Sequence, residues 1–226
     1  MPENNTFLRQ VMRRYTTDAP LNNVNPVFIG TLLKAFEDRP FCASDFDNFP
    51  VELIVEYIQR THVFYLQAKL PEIEQSIMLL SGLYESHHPI LASLHSFLRE
   101  YSLDLEAHIT AEETTLLPYI AIMGRCLNQQ KQISEYVIAR EKYSVTRFLE
   151  SHHDTEDELG DIRRTIRLYE PPATNASLYR VLLAQLQTFE EDLCVHAHIE
   201  DLVLIPKALQ MEAELDARLD KQAGLN

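Results

Sequence analysis

Apolar residues recur along most of this chain at every third or fourth position, with polar and charged residues between them. That spacing lines one face of an α-helix. Four long stretches carry it. The first runs from Val51 to Leu83 through Val51, Ile54, Ile58, His62 and Tyr65, with a kink expected at Pro71. The second runs from Pro89 to Met123 through Leu94, Leu98, Tyr101, Leu105, His108, Glu112 and Leu116. A proline in its first turn suits a helix start. The third spans Ile133 to Tyr169 and stops before Pro171-Pro172. The fourth, from Ser177 to Glu212, follows Leu178, Leu182, Leu186, Phe189, Leu193, His196, Glu200 and Val203. Long helices joined by short connections predict an all-α protein, an up-down-up-down four-helix bundle over residues 51–213. Its two halves look like an internal duplication.

Residues 1–50 read as a short helical N-terminal extension. An amphipathic stretch at Phe7–Tyr15 leads into Asn- and Pro-rich sequence at Asp18–Pro26, and a short helix follows from Val27 to Glu37. Phe41, Phe46 and Phe49 are its expected packing anchors on the bundle. Residues 214–226 read as a polar C-terminal tail.

Composition narrows the class. Only 5 glycines against 11 prolines in 226 residues leave few of the turn residues that sheet proteins use freely. A net charge of −14 argues against nucleic-acid binding, which wants a basic face, and against docking on an anionic membrane. No segment approaches the roughly 20 apolar residues of a spanning helix. The N-terminal Met1-Pro2-Glu3-Asn4-Asn5 lacks the profile of a signal peptide, and Cys42, Cys126 and Cys194 are scattered and odd in number. A cytoplasmic setting without disulfides is expected.

The chemistry sits in two repeated signatures, His108-Ile109-Thr110-Ala111-Glu112 and His196-Ala197-His198-Ile199-Glu200. Each puts a His and a Glu one turn apart on one helix face. A proline follows each Glu at the same distance, at Pro118 and Pro206, and an earlier helix offers a lone His, His62 or His153. A single His on an apolar face is more often a core residue than a ligand. Glu112 and Glu200 on the same apolar lines change that balance. An unpaired buried carboxylate costs several kcal/mol, roughly, and no Lys or Arg lies on the inner lines to pair it. Imidazoles and carboxylates converging from four helices imply a cation that the chain does not encode. Imidazole and carboxylate without thiolate suit iron, manganese or zinc. Open, redox-capable positions favour iron over structural zinc, which closes its tetrahedron. Two ions share six protein ligands only if the carboxylates bridge them. Ferritin-like proteins use Glu-x-x-His instead, a different arrangement.

His108-x-x-x-Glu-Glu-x-x-Leu-Leu-Pro, His153-Asp-x-x-x-Glu-Leu and His196-x-x-x-Glu-Asp-x-Val-Leu-Ile-Pro, with Leu53–Leu66, resemble the RIC (repair of iron centres) family. The resemblance covers about residues 50–212. It implies a hemerythrin-like bundle holding two non-haem irons, bridged by oxo or hydroxo. It further implies that His62, His108, His153 and His196 are terminal ligands and that Glu112 and Glu200 are bridging carboxylates. His152 competes with His153 on periodicity alone, and the Asp154 frame selects His153. The implied role is protection or repair of iron–sulfur clusters under nitric oxide or oxidative stress. Nitric oxide, dioxygen or peroxide would be ligands, and damaged iron–sulfur proteins partners. Where the family opens with an adjacent cysteine pair, this chain has Cys42 alone. That departure keeps a second role open, a dioxygen or nitric oxide binding or sensing protein. A di-iron oxidase or peroxidase is a third. No catalytic frame of a conventional enzyme is present. A homodimer is compatible with the bundle.

Overall fold

The computed structural model describes Arg14 and residues 25–36, 41–83, 89–130, 132–151 and 176–223. Among them every regular element is helical, as the apolar pattern predicts. In chain order these are α1 (Pro26–Ala35), a one-turn 3-10 helix (Ala43–Phe46), α2 (Val51–Phe64), α3 (Leu70–Leu83), α4 (Pro89–Ala111), α5 (Leu117–Leu127), α6 (Ile133–Lys142), α7 (Val145–Ser151), α8 (Ala176–Ile199) and α9 (Ile205–Ala223). Three π-helical turns join consecutive helices without interruption: Tyr65–Lys69 between α2 and α3, Glu112–Leu116 between α4 and α5, and Glu200–Leu204 between α8 and α9.

These widened turns share a cause that is visible in the sequence. Leu70, Leu117 and Ile205 donate their backbone N–H to the carbonyls of Tyr65, Glu112 and Glu200, five residues back. Each donor immediately precedes a proline, Pro71, Pro118 or Pro206. A proline inside a helix supplies no N–H and its ring crowds the carbonyl four residues back. Widening the turn ahead of it gives that carbonyl room. In place of the kink expected at Pro71, the helix therefore widens and continues. In the second turn, the Thr114 hydroxyl donates to Thr110 C=O at 2.6 Å and the Thr115 hydroxyl to Ala111 C=O. The preceding carbonyls are satisfied in that way.

The third long helix departs from expectation. It is not continuous: α6 ends at Lys142, Tyr143 adopts extended backbone (φ −148°, ψ 150°), and α7 begins at Val145. The reason is local. Ser144 starts a new helix, its Oγ accepting from the Arg147 N–H at 3.2 Å and its carbonyl from the Phe148 N–H at 3.1 Å. The remainder of that expected helix lies outside the described residues. The fourth helix runs past Glu212 to Ala223, so the stretch read as a polar tail is largely helical.

The fold divides into two compact units, 1–60 with 109–153 and 196–226, and 61–108 with 154–195. In the first unit α9 packs on α5, α6 and α7 around Ile120, Met123, Tyr136, Ala208 and Leu215, all buried. The N-terminal extension joins it through aromatic contacts. Asn25 Oδ1 caps α1, accepting from the Val27 and Phe28 N–H groups at 3.0 and 3.1 Å. Phe28 then meets Phe49 at 5.0 Å and Tyr57 at 6.2 Å, edge to face. Of the three expected anchors, Phe46 and Phe49 pack on Phe28, and Phe41 reaches the bundle at His198. Arg14, the described residue of the stretch Phe7–Tyr15, is buried and donates to Tyr57 Oη at 3.1 Å. In the second unit Phe189 receives Tyr65 and Tyr101 edge to face, at 5.2 and 6.4 Å, beside buried Ile73, Ile77, Leu182 and Leu186.

Candidate metal centre

Three of the helices that carry a π turn also carry the residues singled out in the sequence. His62 sits in the last turn of α2, three residues before its widened turn. His108 closes α4 and Glu112 opens the second widened turn; His196 closes α8 and Glu200 opens the third. Widened turns are frequent at functional sites, because they re-aim side chains that a regular helix would space evenly.

The structure brings five of the six expected residues together in two groups that share Glu112. In each, one ligand atom per side chain lies within 4.8 Å of the others: His62, Glu112 and His196 form one group, His108, Glu112 and Glu200 the other. The sixth expected residue, His153, lies outside the described residues, as does His152 beside it. Burial is deep for this chemistry. Glu112 is 1% exposed, His62 2%, Glu200 3% and His196 7%; His108 is half-buried. His196 Nε2 stands 3.8 Å from Glu200 Oε2, the one-turn spacing read from the sequence.

These donors fit a cation. They are three borderline imidazoles and two hard carboxylates in a water-poor setting, the mixed N/O set that suits iron, manganese or zinc. His62 Nε2, Glu112 Oε2, His196 Nδ1 and Glu200 Oε1 are buried atoms that complete no hydrogen bond among the described residues, although each side chain has other contacts. Two carboxylates this close and this buried repel one another unless positive charge is shared between them.

Further polar pairs lie on these helices and their continuations. On the helix of His62, the Tyr65 hydroxyl donates to buried Asp192 at 3.1 Å. Tyr65 and Tyr101 are otherwise packing residues, as the spacing suggested. Tyr143 is the larger omission. Burial pushes its phenol up to about 12; the Thr115 hydroxyl beside it opposes that rise, and the carboxylates of Glu112, Glu200 and Glu212 add to it. Its signal was faint: a Ser144 able to cap a helix in a stretch whose apolar spacing reads as unbroken. Nearby, Tyr119 donates to Glu212 at 2.6 Å and Tyr136 to Asp216 at 2.7 Å. Glu113 turns away from Glu112 to accept from Gln59 Nε2 at 2.9 Å, and His198 stacks on Phe41 at 5.2 Å, so neither joins the ligand groups.

Residues 66–208, more than half of the chain, match the family described as the hemerythrin HHE cation binding domain. The chain belongs to the hemerythrin HHE family. His108, Glu112, His196 and Glu200 fall inside the hemerythrin HHE match, and His62 lies just ahead of it. Individual relatives are more distant. The chain is 21% identical over 154 residues to an iron-sulfur cluster repair protein ScdA of Staphylococcus haemolyticus, covering 68% of this chain and 65% of that protein. It is 28% identical over 169 residues to an iron-sulfur cluster repair protein YtfE of Musicola paradisiaca, covering 73% and 68%. To the YtfE protein of Pectobacterium carotovorum it is 26% identical over 184 residues, 80% of this chain and 76% of the relative. The matched stretch thus spans less than two thirds of the first of these relatives. No helix among the described residues of this hemerythrin HHE chain is long and apolar enough to cross a membrane.

Proposed function

We propose that this chain is a non-haem di-iron protein that protects or repairs iron–sulfur clusters damaged by nitric oxide or oxidative stress. The observation that carries the reading is the convergence of ligand atoms of buried His62, Glu112, His196 and Glu200 and half-buried His108, within 4.8 Å in each of two groups. Membership of a cation-binding family, and relatives named as iron-sulfur cluster repair proteins, support it. In this reading His62, His108, His153 and His196 would be terminal ligands, with Glu112 and Glu200 bridging. Iron held there would supply a ferrous/ferric couple and an exchangeable position for nitric oxide, dioxygen or peroxide.

The rest of the work falls to the chain. The two His-x-x-x-Glu pairs hold nitrogen and oxygen donors one turn apart on rigid helices, so the donor set is fixed before a cation arrives. Burial of Glu112 and Glu200 keeps water from screening their charge, which strengthens their hold on a cation. The damaged iron–sulfur protein would be the partner, in the cytoplasm, where a reducing setting keeps such clusters and the three free cysteines as they are.

Full-length protein purified from iron-replete cells should contain two irons per chain, with an oxo-bridge absorption band in the near ultraviolet, and should restore a dehydratase inactivated by nitric oxide. One zinc per chain after iron reconstitution would overturn the di-iron assignment. Two irons with tight reversible gas binding and no rescue would instead favour sensing.

A further inference from the structure

The two widened turns that open on a candidate glutamate are held in different ways. The turn Glu112–Leu116 carries Thr114 and Thr115, whose hydroxyls are bonded back onto the carbonyls of Thr110 and Ala111. The turn Glu200–Leu204 contains no serine or threonine. It is held from outside, by the N-terminal segment 41–47. The one-turn helix Ala43–Phe46 packs against it. Ahead of the turn, the Phe41 ring stacks on His198 at 5.2 Å; beyond it, Lys207 Nζ donates to the Asp47 carbonyl at 2.9 Å. The two contacts stand on either side of the turn, and Glu200 lies between them.

The segment is stiff enough to act as one piece. The Asp45 and Asp47 N–H groups donate to the Cys42 and Ser44 carbonyls at 3.1 and 3.3 Å, and Phe41 also stacks on Phe46 at 5.8 Å. Phe46 is buried and meets Phe28, so the segment has an anchor apart from the turn. A π-helical turn is one of the few places where a long helix bends. A brace across it therefore fixes the side chain that the turn presents. We propose that the segment Phe41–Asp47 is a clasp across the third widened turn, that Phe41 and Lys207 are positioning residues for Glu200, and that the clasp sets how fast the centre gives up its metal. The inference rests on the metal-centre reading above and adds a point of control to it. With the clasp engaged, Glu200 is kept within reach of Glu112. With either contact broken, the turn is free to bend and the donor set loosens. Neither Phe41 nor Lys207 is itself a ligand.

The test uses the iron-reconstituted full chain as wild type, Phe41→Ala and Lys207→Met, with the conservative Phe41→Tyr and Lys207→Arg beside them. Ser144→Ala, which removes a helix cap and touches neither end of the clasp, controls for lost stability. Two quantities are read. One is the rate at which reduced iron passes to an excess of a coloured ferrous chelator. The other, in the iron-free chain, is amide hydrogen exchange over 200–204. Phe41→Ala and Lys207→Met should each release iron roughly threefold to tenfold faster, the range for one lost aromatic contact or hydrogen bond. Both should exchange faster at 200–204 and not at 112–116. Phe41→Tyr and Lys207→Arg should keep both quantities at the wild-type rate. Wild-type release and exchange in the two disruptive variants, or an equal acceleration by Ser144→Ala, would overturn the clasp and leave the metal reading standing. A wild type that takes up no iron would overturn the metal reading, and the control of release with it.

Discussion

Glu112 and Glu200 are buried acids, and what each contributes to stability depends on whether positive charge is present beside it. Without metal, Glu112→Leu or Glu200→Leu replaces a buried carboxylate by an apolar group, so stability should hold or rise, by up to about 1–4 kcal/mol. With iron bound, the same change removes a ligand and with it part of the binding free energy that stabilises the folded state, so the variant should melt lower. Thermal melts of both variants with and without iron measure this reversal; equal losses in the two states would leave the glutamates as structural partners of something else. The third long helix needs its own test. If His153 is the ligand, His153→Ala should lower iron occupancy while His152→Ala leaves it nearly intact, and metal analysis of the two variants shows which register is right. At this scale the sequence was legible where chemistry constrains it. A Glu on an apolar face cannot be left unexplained, and that singled out Glu112 and Glu200 with their histidines. Tyr143 was not legible, because a tyrosine on an apolar line packs well in any core, and the helix break that seats it against Tyr119 and Phe148 leaves no trace in the spacing.

At the scale of elements, every long apolar stretch corresponds to helix wherever the structure describes it, because a one-face stripe over many turns has no competing interpretation. The details that escaped are backbone details. Pro71, Pro118 and Pro206 look like punctuation, and whether a proline kinks a helix or is absorbed by a widened turn depends on hydrogen bonds that no periodicity reveals. The break at Ser144 escaped for a similar reason: serine is tolerated inside helices, and its role as a cap appears only when its Oγ is seen on the Arg147 N–H. Ser144→Ala should therefore cost about 1 kcal/mol, the usual worth of such a cap, and lower the denaturant midpoint with little change in slope. A midpoint equal to that of wild type would mean that α7 starts without help from Ser144. The length of the last helix was misjudged because charged residues dominate 214–223, although Leu215 is fully buried and Tyr136 reaches Asp216 from α6.

For the molecule as a whole, the buried phenols set how the fold responds to alkali. Burial, reinforced by the hydrogen bond to Glu212, holds the Tyr119 phenol above its ordinary value of 10.0; burial and the bond to Asp216 do the same for Tyr136. Both phenols are protonated in the folded and unfolded states at neutral pH, so they add no pH dependence there. Above about 10 the unfolded chain releases their protons while the folded chain retains them, and stability falls as pH rises. Denaturation midpoints should be flat from neutral to about pH 10 and then drop, together with the appearance of phenolate absorbance. Tyr119→Phe should soften that drop, at a cost of about 1–3 kcal/mol at neutral pH for the donor that Glu212 loses. A midpoint that is unchanged well above pH 10 would contradict the burial of these groups. The widened turns bear on the whole molecule in another way, through its evolution. Removing one residue from a regular helix rotates everything beyond it by a fraction of a turn and ordinarily ruins the packing. Within 112–116 or 200–204 the same deletion would take out a surplus residue, and the side chains downstream would keep their facing. The same deletion would bring back the crowding between Pro118 or Pro206 and the carbonyl four residues before it, so each widened turn and its proline can be lost only together.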